Sequence, residues 1–218
     1  MTIDKRLTAI VNEIQGSVLV DCGCDHGKVT CEALLQKRVD KVIATDISEK
    51  SLQKCINLAK KLKLENVECR CGDGLEVIKG NEADIVCIAG MGGYEIIKIL
   101  SNAPKGIKKL VLCPHHDTKA LREHLQKSYK LEKDYAIYCD THFYNLIVAR
   151  IGSDNLSDKE LLLGKDSIKN EDYRMQLYAL RDKYVKIQNM DVPKERFDEC
   201  QRCINIIDGE LNGSKKDI

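Results

Sequence analysis

The chain has 218 residues, 43% of them apolar and 32% charged, enough to bury the core of one average domain plus a modest appendage. A formal charge of +1 gives no global excess of positive charge of the kind that announces nucleic acid, and no apolar run reaches membrane-spanning length. Eleven cysteines, behind an opening (MTIDKRLTAI) without signal-peptide character, point to a reducing cytosol rather than a disulfide framework.

A short amphipathic segment opens the chain with Leu7, Ile10, Val11 and Ile14 and ends at Gly16. From there apolar runs alternate with helical patterns. Strands are predicted over 18–20, 42–44, 67–69, 85–89 and 110–112, and helices over 29–37, 49–62, 94–100 and 119–129. Strands that are apolar throughout and separated by helices predict a parallel sheet covered on both faces. Two further runs, 135–139 and 143–151, are separated only by Asp140-Thr141-His142, too short for a crossover, and so predict an antiparallel hairpin. The fold class read over residues 1–152 is therefore α/β: a Rossmann-like sheet of parallel strands plus a terminal antiparallel hairpin.

After the turn-rich IGSDNLSD the pattern changes. Tyr173, Leu177, Leu180, Tyr184 and Ile187 recur at alternating spacings of four and three, as do Phe197, Cys200, Ile204, Ile207 and Leu211, with Pro193 in the break between. Two such stripes predict an antiparallel, coiled-coil-like pair of helices within 153–218, ending in a frayed NGSKKDI.

The stretch VLVDCGCDHGK at 18–28 carries the first chemical signal. Asp21 precedes Gly23 and Gly27, and Asp25-His26 lies between the glycines. Glycine lets a backbone approach a ligand closely, although a plain strand-to-helix turn uses the same residues. The next strand ends in Asp46, twenty-three residues beyond Gly23, where an acid accepts both hydroxyls of a ribose. The third ends in Gly72-Asp73-Gly74, where a carboxylate accepts from an adenine amino group. Acids at the ends of three consecutive strands match one adenosine-bearing cofactor lying across the sheet edge. A dinucleotide site wants G-x-G-x-x-G, so that helix-terminal amides meet a pyrophosphate. Asp21 and Asp25 would repel phosphates but suit a sulfonium and an α-amino group, so electrostatics favours S-adenosylmethionine over NAD.

With these residues in place, the chain resembles the class I S-adenosylmethionine-dependent methyltransferases, and more narrowly the bacterial tRNA adenine-22 N1-methyltransferase family, TrmK. The likeness is carried by VDCGCDHG, GDGLEVI and DIVCIAGMGGYEIIKIL, together with the two-helix tail, and it covers essentially the whole chain. It implies an S-adenosylmethionine-dependent tRNA (adenine-N1)-methyltransferase. The implied cofactor set is Asp21, Gly23, Cys24, Gly27, Asp46, Ile47, Gly72, Asp73, Gly74, Ala89, Gly90, Met91 and Gly92. The implied acceptor set is Gly93, Tyr94, Pro114, His115 and Tyr144. Where the family has Gln-Pro-Asn after its fifth strand this chain has Cys113-Pro114-His115, and for the family's Tyr-Glu in the last strand it has Tyr144-Asn145.

The chemistry asks for little. N1 of adenine has an in-plane lone pair and needs small basic help, but the product ring is cationic, so a nearby carboxylate steadies the developing charge. Positioning in line with the sulfonium supplies much of the rest. Asp25 and His26 are the candidate catalytic residues: Asp25 binds cofactor or steadies charge, while His26 orients the base, relays a proton, or is simply a histidine bonded to backbone. Gly92 and Gly93 are expected to leave room for an extruded nucleotide, with Tyr94 stacking on it or packing on the core. Glycines also stand where amino-directed DNA methylases carry an Asn/Asp-Pro-Pro-Tyr/Phe loop, which argues against exocyclic methylation. Lys119 and Arg122, three apart on a predicted helix in a lysine-rich unit, are either a solvated face or a footprint for the tRNA backbone. His115-His116 has no companion ligand spacing, and Cys200-x-x-Cys203 has no second pair, so no metal is expected. The expectation is a cytoplasmic, monomeric enzyme acting on tRNA. Its rivals are another RNA or small-molecule methyltransferase, an NAD-linked oxidoreductase, and a catalytically silent RNA-binding homologue.

Overall fold

The computed structural model describes residues 2–165 and 170–213. The elements run α1 (Lys5–Glu13), β1 (Val18–Cys22), α2 (Lys28–Leu35), β2 (Lys41–Asp46), α3 (Glu49–Lys61), β3 (Val67–Cys71), β4 (Ile85–Ala89), α4 (Gly93–Ser101), β5 (Lys109–Cys113), α5 (Thr118–Leu125), β6 (Tyr129–Cys139), β7 (His142–Ile151), α6 (Asp158–Leu163), α7 (Glu171–Gln188) and α8 (Lys194–Gly213). The strands form one seven-stranded sheet in the order β3-β2-β1-β4-β5-β7-β6. The first five are parallel; β7 lies antiparallel to both β5 and β6.

Strand periodicity divides the core between the two faces. In β4, Val86 and Ile88 face one cluster while Ile85 and Cys87 face the other; in β5, Leu110 and Leu112 oppose Val111 and Cys113 in the same way. Every one of these residues is at most 1% exposed, which is why the runs read as apolar throughout. Helices α4 and α5 cover the first face through Ile96, Ile99, Leu121 and Leu125. Helices α1 and α2 cover the second through Leu7, Ile10, Val11, Val29 and Ala33. The sheet order reverses at β1, so a crevice opens beyond the carboxyl ends of β1 and β4, where ligands of such sheets bind.

Three expectations change. The helix predicted over 119–129 stops at Leu125, and the strand predicted from 135 begins at Tyr129. The segment YKLE alternates apolar and charged residues, and a register shift between Leu131 and Lys133 lets the strand continue past the break in that alternation at Glu132-Lys133-Asp134. The hairpin connection is shorter than expected: Cys139 pairs with His142, leaving Asp140 and Thr141 as a two-residue turn with φ of 48° and 67°. Left-handed backbone at both central positions is the type I′ geometry whose twist matches a hairpin. Finally, α6 follows the turn-rich stretch, where no element was expected. Its signal is the capping box of Ser157 and Glu160, and it seats Leu161 in the first core cluster beside Leu156.

The two tail stripes form the antiparallel pair α7 and α8, tied along their length by Arg181–Asp208 at 2.6 Å. At the base, Tyr173, Leu177, Ile207 and Leu211 close over Ala136 of β6 and Leu163 of α6. Asp172 accepts from the Tyr138 amide and from Lys5, and Lys159 pairs with the buried Glu210 at 2.7 Å. Phe197, read as part of the seam, is 44% exposed. Cys200 and Cys203 are both buried on α8. The frayed end read into NGSKKDI falls, from residue 214 on, outside the described residues.

Candidate active site

The crevice holds a cavity of about 640 Å³, within the range that accommodates a cofactor-sized molecule. It is lined by Asp21, Gly23, Cys24, Asp25, His26, Asp46, Ile47, Asp73, Gly74, Ala89, Gly90, Met91 and His115. The sequence reading missed four charged side chains at its wall: Asp4 and Arg6 at the start of α1, Lys28 from α2 and Glu95 from α4.

The glycine turn is built by backbone geometry. Gly23, Asp25 and Gly27 have φ of 73°, 45° and 69°. The amides of Gly23 and Cys24 donate to the carbonyl of Thr45 at 2.8 and 3.0 Å, tying the turn to β2. A Cβ at Gly23 would run into the methyl group of Met91, so any side chain there would fill the cavity neck. Asp21 is buried, and its Oδ2 accepts from the Thr30 amide at 3.0 Å and the Thr30 hydroxyl at 2.6 Å. Burial pushes its carboxyl up to about 6, against the lowering effect of the Thr30 bonds and with a further push from Asp46.

Asp46 is held from both sides. Oδ2 accepts from the Asp25 amide at 3.1 Å and Oδ1 from the Ser48 amide at 2.9 Å, which leaves lone pairs on both oxygens beside the cavity. Ile47 next to it is 75% exposed, an apolar side chain left bare at the rim. Asp73 sits beyond β3 with Lys98 at 3.6 Å. Six carboxylates line the cavity (Asp4, Asp21, Asp25, Asp46, Asp73 and Glu95) against one arginine and one lysine. That field suits a cationic ligand and opposes a polyphosphate. The donor set therefore fits S-adenosylmethionine: fixed acids at the ends of β2 and β3, a glycine neck, and a negative wall.

Asp25 and His26 stand at the exposed mouth. His26 Nε2 lies 3.0 Å from Lys54 Nζ of α3 and 3.5 Å from Asp25 Oδ1. Three glycines of the expected cofactor set do not line the cavity but shape its supports. A side chain at Gly27 would strike Cys55, at Gly72 Val77, and at Gly92 the His116 ring.

The loops after β4 and β5 are zipped together: Gly90 N donates to Cys113 O, His115 N to Met91 O and Gly93 N to His116 O, at 2.9–3.1 Å. This corrects the reading of Gly92 and Gly93 as room for a nucleotide. Gly93 is buried, and the space a side chain would need is taken by the Asp117 backbone. Tyr94, by contrast, is 66% exposed on the first turn of α4 and does not pack on the core.

Pro114 and His115 border a second groove of about 590 Å³, which runs between the β5–α5 loop, the hairpin turn and α7. His115 faces both spaces. Its ring meets Tyr144 edge-on, with centroids 5.7 Å apart, and His142 lies 6.4 Å from the same tyrosine. Burial and the Arg6 charge lower the His115 pKa. Lys119 lies exposed on the groove wall with Glu123 3.8 Å away. Arg122 overturns its surface reading: it is 1% exposed and bonded to Asp134. It comes three positions after Lys119, but the helix is so set that Arg122 points inward with Leu121 and Leu125.

Among the described residues, one group of potential metal ligands converges, Asp4, Cys139 and Asp140, and Asp4 there is engaged in capping α1. No helix among the described residues is long and apolar enough to cross a membrane.

Residues 3–147 match the family described as "Methyltransferase domain". The tRNA (adenine(22)-N(1))-methyltransferase of Bacillus subtilis is 34% identical over 158 residues, a match that spans 70% of this chain and 66% of that protein. The crystal structure of B. subtilis TrmK superposes with a TM-score of 0.81 at 28% identity, covering 96% of this chain and 99% of that one. The M. capricolum TrmK structure, in complex with the cofactor product S-adenosyl-homocysteine, gives 0.87 at 26% identity, covering 97% and 99%. The chain belongs to the methyltransferase-domain family, in its TrmK branch.

Proposed function

We propose that the protein transfers the methyl group of S-adenosylmethionine to N1 of adenine 22 in tRNA. The observation that carries this reading is the junction of two spaces at His115: an acidic, glycine-necked cavity at the switch point and an open groove flanked by lysines. The relatives' names support the same reaction.

In this reading Asp46 takes the ribose hydroxyls with its remaining lone pairs, Ile47 packs on the adenine, and Asp73 accepts from its amino group. Bound S-adenosylmethionine supplies an electrophilic methyl group on a sulfonium. The acceptor adenine enters from the groove, where His115 and Tyr144 hold its ring and Tyr94 stacks on a flanking base. Positive charge develops on that ring as N1 becomes alkylated, and the carboxylates of the mouth, Asp25 foremost, oppose it. His26 orients the base or relays a proton. Lys119 and the neighbouring Lys183 of α7 meet RNA phosphates.

The sheet domain, 1–152, carries cofactor and chemistry, and 153–218 contributes one wall of the groove. We place the protein in the cytoplasm, as a monomer. The eleven free cysteines, eight of them at most 7% exposed, support a reducing compartment. The test is tRNA from a strain lacking the enzyme, incubated with protein and labelled cofactor, then digested for nucleoside mass spectrometry. N1-methyladenosine at position 22 is the expected product. A methyl group on another base, or none, would overturn the reading.

A further inference from the structure

Three donor side chains meet at the tip of the β6–β7 hairpin. Carboxylate oxygens of Asp4 and Asp140 and the sulfur of Cys139 all lie within 4.8 Å of one another. Cys139 is only 9% exposed, and among the described residues its thiol has no hydrogen-bond partner. The Asp140 carboxylate likewise has no hydrogen bond or ion pair among the described residues, although it stands beside a second acid. Asp4 uses Oδ1 to cap α1, accepting from the Leu7 amide at 2.7 Å, which leaves Oδ2 uncommitted. Two like charges and a buried thiol thus converge with no cation paired to them, an arrangement that a bound cation relieves.

The fold holds the three donors from separate elements. Helix α1 packs on β5, β6 and β7, with Leu7 and Ile10 in the same cluster as Ile137, Cys139 and Leu146. Cys139 closes β6 opposite His142, and its side chain points to the face that α1 covers. Asp140 follows in the left-handed turn. Its carbonyl accepts from the Thr141 hydroxyl at 2.6 Å and from His142 Nδ1 at 2.7 Å, which fixes the backbone that carries its carboxylate. Lys5 and the Tyr138 amide both donate to Asp172, so the start of α1, the hairpin and the start of α7 already meet here. Asp4 lines the cofactor cavity, while Thr141 and His142 line the second groove. The cluster therefore stands on the seam between the two spaces.

We propose that Asp4, Cys139 and Asp140 bind a zinc ion, with water in the fourth position of a tetrahedron. The donor set selects the metal. A thiolate disfavours magnesium and calcium, which take oxygen ligands, and carboxylates disfavour copper(I), which takes soft ones. Zinc accepts sulfur and oxygen together. Ligand atoms on one zinc stand about 3.5 Å apart, so the set closes on the ion by side-chain shifts of about an ångström. Binding releases the Cys139 proton to solvent. The ion is a clamp: it ties the cap of α1 to the hairpin tip and so holds the wall of the cavity against the wall of the groove. It supplies no step of methyl transfer. Its donors come from opposite ends of the sheet domain's sequence, with no ligand spacing to announce them.

The test uses the full chain, freed of metal by a chelator and titrated with cobalt(II) as a spectroscopic stand-in for zinc. Wild type is expected to take one cobalt per chain, with a thiolate charge-transfer band in the near ultraviolet and four-coordinate bands in the visible. Zinc should displace the cobalt and raise the melting temperature by several degrees, and magnesium should do neither. Cys139→Ser should abolish the charge-transfer band and weaken zinc at least tenfold. Asp140→Asn, at an exposed turn, and Asp4→Asn, which keeps a capping oxygen, should each weaken zinc about tenfold. Cys71→Ser removes the exposed thiol and should change nothing. If Cys139→Ser does not fold, Asp140→Asn carries the test. A wild-type chain without the band would overturn the site, as would a band that survives Cys139→Ser or is lost in Cys71→Ser. Asparagine variants that bind zinc as tightly as wild type would overturn it too. Magnesium competing on equal terms would reduce the cluster to an acidic patch open to any divalent ion.

Discussion

Arg122 and Asp134 form a buried two-point ion pair, Nε to Oδ2 at 2.6 Å and Nη2 to Oδ1 at 2.9 Å, with side chains 2% and 0% exposed. The same guanidinium donates to the carbonyls of Leu161 and Leu162 at 3.1 and 3.3 Å, so one arginine of α5 joins β6 to α6. Breaking such a pair from one side leaves a buried carboxylate short of its strongest donors. We expect Arg122→Ala to cost about 3–5 kcal/mol of stability, read as a fall in melting temperature of roughly 10 °C. A variant that melts within a degree or two of wild type would show that the pair is not structural.

In the function proposed above, exposed lysines of the second groove take the role that Arg122 cannot. Lys119 and Lys183 line its walls from α5 and α7, and both are exposed. Phosphate contacts release counterions, so each one lost flattens the dependence of log affinity on log salt by roughly one unit. Lys119→Glu with Lys183→Glu is expected to weaken tRNA binding at least several-fold and to flatten that slope, with S-adenosylmethionine affinity unchanged. Isotherms at several salt concentrations decide it: an unaltered slope would move the RNA surface elsewhere.

How far the sequence reached follows from the kind of information each residue carries. The parallel sheet was legible because strands buried on both faces must be apolar throughout, as at Ile85–Ala89. Asp46 and Asp73 were legible because strand ends in such sheets meet at one edge, so position along the chain already implies position in space. Arg6 was not, since it and its neighbours Asp4 and Leu7 reach the crevice from an amphipathic segment before β1 that carries no strand-end motif. In hindsight its signal is weak but present: it sits four residues before Ile10, at the margin of the buried stripe of α1, and so points along the sheet edge. Arg122 was misread for the opposite reason. A charged residue in a charged segment looks solvated, and its partner Asp134 lies on a strand that begins where the sequence still reads as helix. Gly93 shows a third limit: glycine marks a close approach without saying whether ligand or backbone comes close, and here it is the Asp117 carbonyl.

Asp46 is oriented before any ligand arrives, since the Asp25 and Ser48 amides fix both its oxygens. Preorganised acceptors lose little on binding, so the full charge-assisted bonds to a ribose should register in affinity. Asp46→Ala is expected to weaken S-adenosylmethionine by about 2–3 kcal/mol, with Asp46→Asn intermediate because one amide oxygen still accepts. The alanine change also frees the left-handed turn at Asp25, so circular dichroism must accompany the calorimetry. Unchanged affinity in a folded variant would take Asp46 out of the site.

Asp21 links the cavity to pH. Its carboxyl sits at about 6 in the folded protein against 3.8 when free, because burial penalises the charged form more than the Thr30 bonds favour it. An acid raised on folding binds extra protons in the native state between those two values, so it draws stability down as pH climbs from about 4 to about 6, and the loss is constant above. Asp21→Asn removes that loss and keeps an oxygen for the Thr30 donors. The variant should therefore match wild type below about pH 4 and exceed it at pH 7 by up to about 2–3 kcal/mol. Ligand binding carries the opposite sign. A cationic ligand beside Asp21 favours the ionised form and expels the proton, so wild-type affinity for S-adenosylmethionine should rise with pH and level off above about 6. In Asp21→Asn the same titration should be flatter, with weaker binding at pH 7. Stability curves and binding isotherms at pH 5, 6 and 7 test both halves. A wild-type affinity that is flat across this range, or an asparagine variant less stable than wild type at pH 7, would show that Asp21 stays charged throughout and only clips the turn to α2.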